Sequence, residues 1–145
     1  MPTNLENLER VIRGELPQSP AALLIGFRLT AVTKGEAVVE FDSDSRHANP
    51  MGTLHGGVLC DIADAAMGLA FHSTLEEGET FTTLELKINF LKPVWSERLV
   101  ATGRVIQRGK TIGLVECTVV NSKGARVAYS TSTCLTLRGD QARGR

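Results

Sequence analysis

The stretch from His55 to about Leu75, HGGVLCDIADAAMGLAFHSTL, is apolar in nearly every direction around a helix. A helix with apolar residues on all sides is typical of a protein interior. Many of its residues are glycine or alanine, which lets a sheet or a second helix approach its backbone closely. The sequence therefore predicts one long, buried helix with the rest of the chain packed around it.

Segments with the character of β-strands lie on both sides of this helix. The predicted strands are 22–32, 36–42, 81–91, 98–107, 111–121 and 126–137. In 81–91, apolar and polar residues alternate, which is the period of a strand with one buried face. A short helix is predicted from Leu5 to about Arg13, with Asn4 as its cap, and Pro50 and Gly52 predict a loop over 43–54.

The order of these elements favours an α+β fold with an antiparallel sheet, because helices and strands are segregated along the chain. The last four strands are predicted to form a meander, and the curved sheet to wrap around the buried helix. We expect a single domain over 1–145, with its core at about 20–137, a short N-terminal helix at about 4–14 and a polar C-terminal tail. One helix cannot cover both faces of six strands, so we expect a partner subunit.

Composition excludes several classes of partner. Lys and Arg number 16, as do Asp and Glu, so the chain lacks the positive charge that nucleic-acid binding needs. No apolar stretch approaches the roughly 20 residues that span a membrane. The first residues do not resemble a signal peptide, and three scattered cysteines without a CxxC pair predict neither disulfides nor a zinc site. We therefore expect a cytoplasmic protein.

Two carboxylates stand out because the long helix otherwise contains no charge. Asp61 and Asp64 lie in the apolar run, where an aspartate is rare unless it is paired or functional. Before them, His55, Gly56 and Gly57 mark the start of the helix, where backbone N–H groups are unpaired and the helix dipole favours an anion. A carboxylate and an oxyanion site together predict attack on a carbonyl, or activation of water.

Each of these residues also has a structural interpretation. Asp64 could make a structural hydrogen bond, and Asp61 could be a solvated residue that interacts with the helix dipole. The glycine pair could serve only close packing, and His55 could cap the helix. Asn49 could simply stabilise a turn beside the following proline.

The run from Asn49 to Gly57, NPMGTLHGG, is followed by Asp64 nine residues after His55. This pattern resembles the signature of the hotdog-fold acyl-CoA thioesterases. It is most similar to the PaaI-like branch, which includes phenylacetate-degradation proteins and thioesterase superfamily member 2. The resemblance extends from roughly residue 20 to 137 and includes the FLKP segment and the RGKT turn.

The resemblance implies a hotdog fold, with six antiparallel strands around one long helix. It also implies a homodimer whose active sites are shared between two chains, and a homotetramer made of two such dimers. No metal or cofactor is implied, because coenzyme A enters as part of the substrate.

The resemblance also implies roles for individual residues. Asp64 would act as nucleophile or general base, and the Gly56 N–H would bind the thioester oxygen. The full implied catalytic set is Asp64, Gly56, Asn49, Thr83, His55 and Gly57. Within this set, Asn49 would orient the thioester or water, Thr83 would hold the water, and His55 would hold the loop against the helix. The implied coenzyme A contacts are Arg108, Gly109, Lys110 and Thr111. The Arg and Lys side chains suit phosphates, although this segment could equally be an exposed hairpin turn that is merely basic.

The function expected from these features is hydrolysis of an aryl- or medium-chain acyl-CoA to the free acid and CoA. One alternative is a hotdog hydratase or dehydratase acting on enoyl-CoA. Those enzymes need a histidine paired with an acid, whereas His55 belongs to the HGG signature. A second alternative is a non-catalytic acyl-CoA sensor, since fold alone does not determine function.

Overall fold

A computed structural model of the chain describes residues 1–145 and contains three α-helices and six β-strands. The helices are α1 (Asn4–Ile12), α2 (Pro20–Ile25) and α3 (Gly56–His72). The strands are β1 (Phe27–Thr33), β2 (Glu36–Asp42), β3 (Thr80–Phe90), β4 (Arg98–Arg108), β5 (Ile112–Val120) and β6 (Arg126–Leu137). Two short 3₁₀ turns lie at Ser45–His47 and Gly139–Ala142.

All six strands form one antiparallel sheet in the order β1-β2-β4-β5-β6-β3. The sheet wraps around α3, which contacts every strand. The buried core joins α3 to the inner face of the sheet, with Phe41, Ile62 and Phe71 among its largest fully buried side chains. The predicted α+β architecture, a curved six-stranded sheet around one long helix, is confirmed.

The predicted strand 22–32 is wrong in its first half, where the chain forms α2 instead. Ser19 caps this helix by accepting a hydrogen bond from the Ala22 N–H, and Pro20 occupies the first turn. Gly26 ends it in the left-handed conformation, with φ of 102°. These start and stop signals outweigh the apolar character of the segment. At α1, Thr3 rather than Asn4 is the cap, and it forms a reciprocal capping box with Glu6.

The predicted four-strand meander holds only for β4, β5 and β6. Strand β3 instead pairs with β6 and lies at an edge of the sheet. A bulge at Leu84 interrupts the expected alternation and leaves Leu84 exposed, whereas Leu86 and Ile88 are half-buried. Phe90, the last residue of the strand, is also exposed. The sheet therefore has an open edge with apolar side chains beside it.

The sequence predicts that α3 is buried on every side, but in the structure one side of the helix is exposed. Its inner face is fully buried, but Gly57, Asp61 and Asp64 are exposed in the single chain and form a stripe along one side. Small residues and two carboxylates make up this side, and no other segment of the chain covers it. The exposed stripe positions the candidate site at the surface of the protomer.

Candidate active site

Asp64 lies in the middle of α3, at the mouth of an apolar cavity of about 350 Å³. The cavity is bounded by α1, α2, β1, β3 and the exposed side of α3. Its lining is mainly apolar and includes Leu8, Val11, Phe27 and Phe81. In the single chain Asp64 is exposed, although the sequence predicts that this helix is buried on all sides.

The surrounding protein nevertheless changes the pKa of the Asp64 carboxyl. Loss of solvation raises the pKa of the Asp64 carboxyl, and the negative charge of Asp61 raises it further. The Thr83 hydroxyl opposes both effects by favouring the charged form of Asp64. A carboxylate with a raised pKa beside an apolar cavity is typical of a general base or nucleophile.

Thr83 lines the same cavity as Asp64, from strand β3. It is half-buried, and its hydroxyl oxygen lies 3.9 Å from the Cys134 sulfur. The single chain forms no Thr83–Asp64 hydrogen bond of ordinary length, although the hydroxyl is close enough to affect the carboxyl pKa. The structure thus brings together two of the predicted catalytic residues.

The start of α3 supplies the second part of the predicted site. His55 is the cap, and its Nδ1 accepts a hydrogen bond of 2.9 Å from the Gly57 N–H. This bond occupies the Gly57 amide, so Gly57 is not a free oxyanion donor in this chain. The Gly56 N–H is the first of the helix and has no acceptor within it. The His55 N–H donates to the His47 carbonyl, which fixes the preceding loop against the helix start.

The Asn49 side chain forms hydrogen bonds within its own turn. Its Oδ1 accepts hydrogen bonds from the Met51 and Thr53 N–H groups, at 2.9 and 3.2 Å, and its Nδ2 donates to the Thr53 hydroxyl at 2.7 Å. One amide hydrogen remains unused. The turn-forming role considered from the sequence is therefore present, and a role toward substrate is limited to that remaining N–H.

The two parts of the predicted site are separate within one chain. Asn49 and Gly56 line a shallow pocket with Phe90, whereas Asp64 and Thr83 line the apolar cavity. Eight residues of α3, or about 12 Å of helix, separate Gly56 from Asp64. Because a thioester carbonyl must lie about 3 Å from both its attacking group and its oxyanion donor, Gly56 and Asp64 of the same chain cannot act on one carbonyl.

In the turn predicted to bind coenzyme A, Arg108 makes contacts within its own chain that the sequence does not indicate. The Arg108 guanidinium donates to the Thr74 hydroxyl at 2.9 Å and to the Gly109 carbonyl, and it pairs with Glu79 at 3.7 Å. It also lies over the Phe71 ring, 4.6 Å from the ring centre. Arg108 is thus occupied within its own chain.

Lys110, from the same turn, lies in a polar pocket with Lys34, Arg138 and the occupied Arg108. The sequence did not indicate Lys34 or Arg138, because they join this turn only through the folding of the sheet. The sequence also missed the contribution of α1 to the apolar cavity. The only indication of this contribution in the sequence was the spacing of the apolar residues along α1, which puts them on one face.

A family model described as "Thioesterase superfamily" matches residues 51–128, more than half of the chain. The chain belongs to the thioesterase superfamily. This match contains the HGG motif at the start of α3 and also Asp64. The hotdog fold and the family predicted from the sequence are confirmed.

Named relatives and solved structures agree with this assignment. Human acyl-coenzyme A thioesterase 13 is 25% identical over 123 residues, which is 83% of this chain and 87% of that protein. A thioesterase of Haemophilus influenzae has 26% identity and a TM-score of 0.81, covering 90% of each chain. The PaaI protein of E. coli, from the phenylacetic acid degradation operon, shares the fold with a TM-score of 0.82 at 24% identity, covering 94% and 95% of the two chains.

Two further observations concern membrane and metal association. None of the helices is long and apolar enough to cross a bilayer. Groups of three or more His, Cys, Asp or Glu side chains arranged to hold a metal ion do not occur in the structure.

Proposed function

We propose that this chain is an acyl-CoA thioesterase that cleaves aryl- or medium-chain acyl-CoA esters to the free acid and CoA. The observation that carries the proposal is the position of Asp64, a carboxylate with a raised pKa at the mouth of an apolar cavity. An apolar acyl group fits such a cavity, and its carbonyl carbon would lie beside the carboxylate. Membership of the thioesterase superfamily supports the same reaction.

In the proposed reaction, Asp64 takes a proton from water as that water attacks the thioester carbonyl carbon. The Gly56 N–H stabilises the negative charge that develops on the carbonyl oxygen. The carbon–sulfur bond then breaks, and the CoA thiolate leaves and is protonated. Alternatively, the Asp64 carboxylate attacks the carbonyl itself, and water hydrolyses the resulting anhydride. Thr83, on the neighbouring strand, would hold the water in the first route.

The separation of Asp64 from Gly56 leads us to propose that two chains form each site. Strand β3 is at an open edge, and Leu84 and Phe90 are exposed beside it. The uncovered side of α3 lies next to this edge strand and carries Asp61 and Asp64. A second copy covering both features would bring its own helix start toward Asp64. Two such dimers would form the expected homotetramer.

Coenzyme A would lie at the surface of this dimer. Of the four residues predicted from the sequence, Lys110 keeps an unpaired ammonium group, and Gly109 and Thr111 shape the turn around it. Arg108 would contribute mainly by holding the turn through its bonds to Thr74 and Glu79. Lys110 is thus the proposed phosphate contact.

The proposal is tested by measuring thiol release from a panel of CoA esters with phenylacetyl, hydroxybenzoyl, short-chain and medium-chain acyl groups. We expect release of CoA without added metal or redox cofactor, and fastest for aryl or medium-chain esters. Water addition to enoyl-CoA without free thiol, or tight binding of every ester without turnover, would contradict a thioesterase.

A further inference from the structure

The His47 side chain is held in place by two hydrogen bonds and by the core. It is 12% exposed, and its ring meets the buried Phe41 ring edge-on, with 4.7 Å between the ring centres. Its Nε2 lies 2.8 Å from the Ile25 carbonyl oxygen, and its Nδ1 lies 3.1 Å from the Asp44 backbone nitrogen. Because a carbonyl only accepts and a backbone N–H only donates, the imidazole carries its hydrogen on Nε2 and not on Nδ1.

The two bonds connect His47 to different parts of the fold. Asp44 lies in the same loop, directly before the 3₁₀ turn that contains His47. Ile25 is the last residue of α2, and its carbonyl is one of those that a helix end leaves without a partner in the helix. The bond to Ile25 therefore ties the loop to a separate element, whereas the bond to Asp44 only shapes the loop itself.

The fixed position of His47 extends to the start of α3 through the backbone. The loop before α3 folds back on itself, with an antiparallel bridge between Ala48 and Leu54. The His55 N–H donates to the His47 carbonyl at 2.9 Å. His55 is the cap of α3, and Gly56 is the first residue of the helix. The placement of the Gly56 N–H therefore depends on the strand-like arm that His47 anchors.

We propose that His47 is a positioning residue, whose hydrogen bond to Ile25 aims the Gly56 N–H at the thioester oxygen. The assignment rests on the proposed function, in which this N–H stabilises the developing oxyanion. His47 lines neither the apolar cavity nor the shallow pocket beside Gly56, so it acts through the backbone and not on the substrate. The charge on the oxygen develops only in the transition state, so His47 should affect kcat more than KM.

Three substitutions separate the two bonds of the His47 side chain. His47→Phe keeps a flat ring against Phe41 but loses both bonds. His47→Gln places an amide N–H near the position of Nε2 and keeps the bond to Ile25, whereas His47→Asn places an oxygen near Nδ1 and keeps only the bond to Asp44. Since a displacement of about 1 Å can cost about 100-fold in rate, we expect kcat to fall about 10–100-fold in the Phe and Asn variants, with KM nearly unchanged. His47→Gln should recover part of the loss.

A double-mutant cycle shows whether the loss arises at Gly56. Gly56→Pro removes the N–H that His47 is proposed to aim, so adding His47→Phe to that variant should lower kcat little further. The ester is the one that the wild type hydrolyses fastest, and all rates are measured below the melting temperature of each variant. If His47→Phe lowers kcat by the same factor with and without the Gly56 N–H, His47 does not act through Gly56 and the proposal is refuted.

A purely structural role for His47 predicts a different result. The three variants would then melt at lower temperature but keep the wild-type kcat while folded, which would also refute the positioning role. Equal kcat in His47→Gln and His47→Asn would contradict the assignment to Ile25, even if His47→Phe does not fold. In these cases thiol release by the wild type leaves the proposed thioesterase activity standing. Absence of thiol release by the wild type from every ester of the panel would overturn both proposals.

Discussion

Asp64→Asn is expected to lower kcat for the best acyl-CoA ester by about 10²–10⁴-fold, because the amide can neither accept the proton from water nor attack the carbonyl. Asn has nearly the same shape as Asp. The Asp64 carboxylate makes no ion pair in the chain, and its pKa is raised by loss of solvation. The substitution should therefore leave folding intact, with a melting temperature close to that of the wild type. Thiol-release kinetics measure the effect.

Asp61→Asn is the matched control, since it changes the other carboxylate on the exposed side of α3. Turnover at neutral pH should remain close to wild type. The charge of Asp61 raises the pKa of Asp64, so removing that charge lowers the pKa and keeps Asp64 ionised in more acidic solution. The acid limb of the rate profile should move to lower pH. Loss of turnover in Asp61→Asn with retention in Asp64→Asn would reverse the assignment of the two residues.

Gly56→Pro is expected to lower kcat by about 10²–10³-fold, because proline removes the N–H that is proposed to bind the oxyanion. Proline is well tolerated at the first position of a helix. The preceding His55 has φ of −63° and ψ of 131°, a conformation that proline favours in its neighbour. The helix should therefore remain intact, and steady-state kinetics report the loss of the donor.

Gly56→Ala distinguishes the effect of losing the N–H on turnover from the effect of adding side-chain atoms at this position. A Cβ at position 56 would lie 2.9 Å from the Phe90 ring in either variant, so both variants require the same shift of that ring. Alanine keeps the N–H, so its turnover should far exceed that of the proline variant. Equal activities of the two variants would show that the Gly56 amide is not the oxyanion donor.

Much of the fold could be predicted from local pattern alone. The apolar run that forms α3, and the alternation in the later strands, reflect burial against a common core. The same reasoning failed at α2, where capping by Ser19, Pro20 and Gly26 outweighs the apolar content of a short segment. It also failed for the position of β3, because pairing with β6 depends on how the whole sheet curves.

The candidate site was only partly predictable, for a related reason. The HGG motif and Asp64 identify the chemistry, but their separation along one rigid helix becomes clear only in three dimensions. The ion pair between Arg108 and Glu79 could not be inferred either, because the two residues are distant in sequence and meet only in the folded chain.

Complementation between two inactive variants tests the shared site most directly. Asp64→Asn and Gly56→Pro chains, carrying different affinity tags, are co-expressed, and hybrid dimers are isolated through both tags. If Asp64 of one chain works with Gly56 of its partner, one of the two sites in each hybrid is intact, and about half of the wild-type activity should return. If Asp64 and Gly56 act within the same chain, every site in the hybrid carries a defect. Hybrid dimers as inactive as their parents would therefore contradict a site formed by two chains.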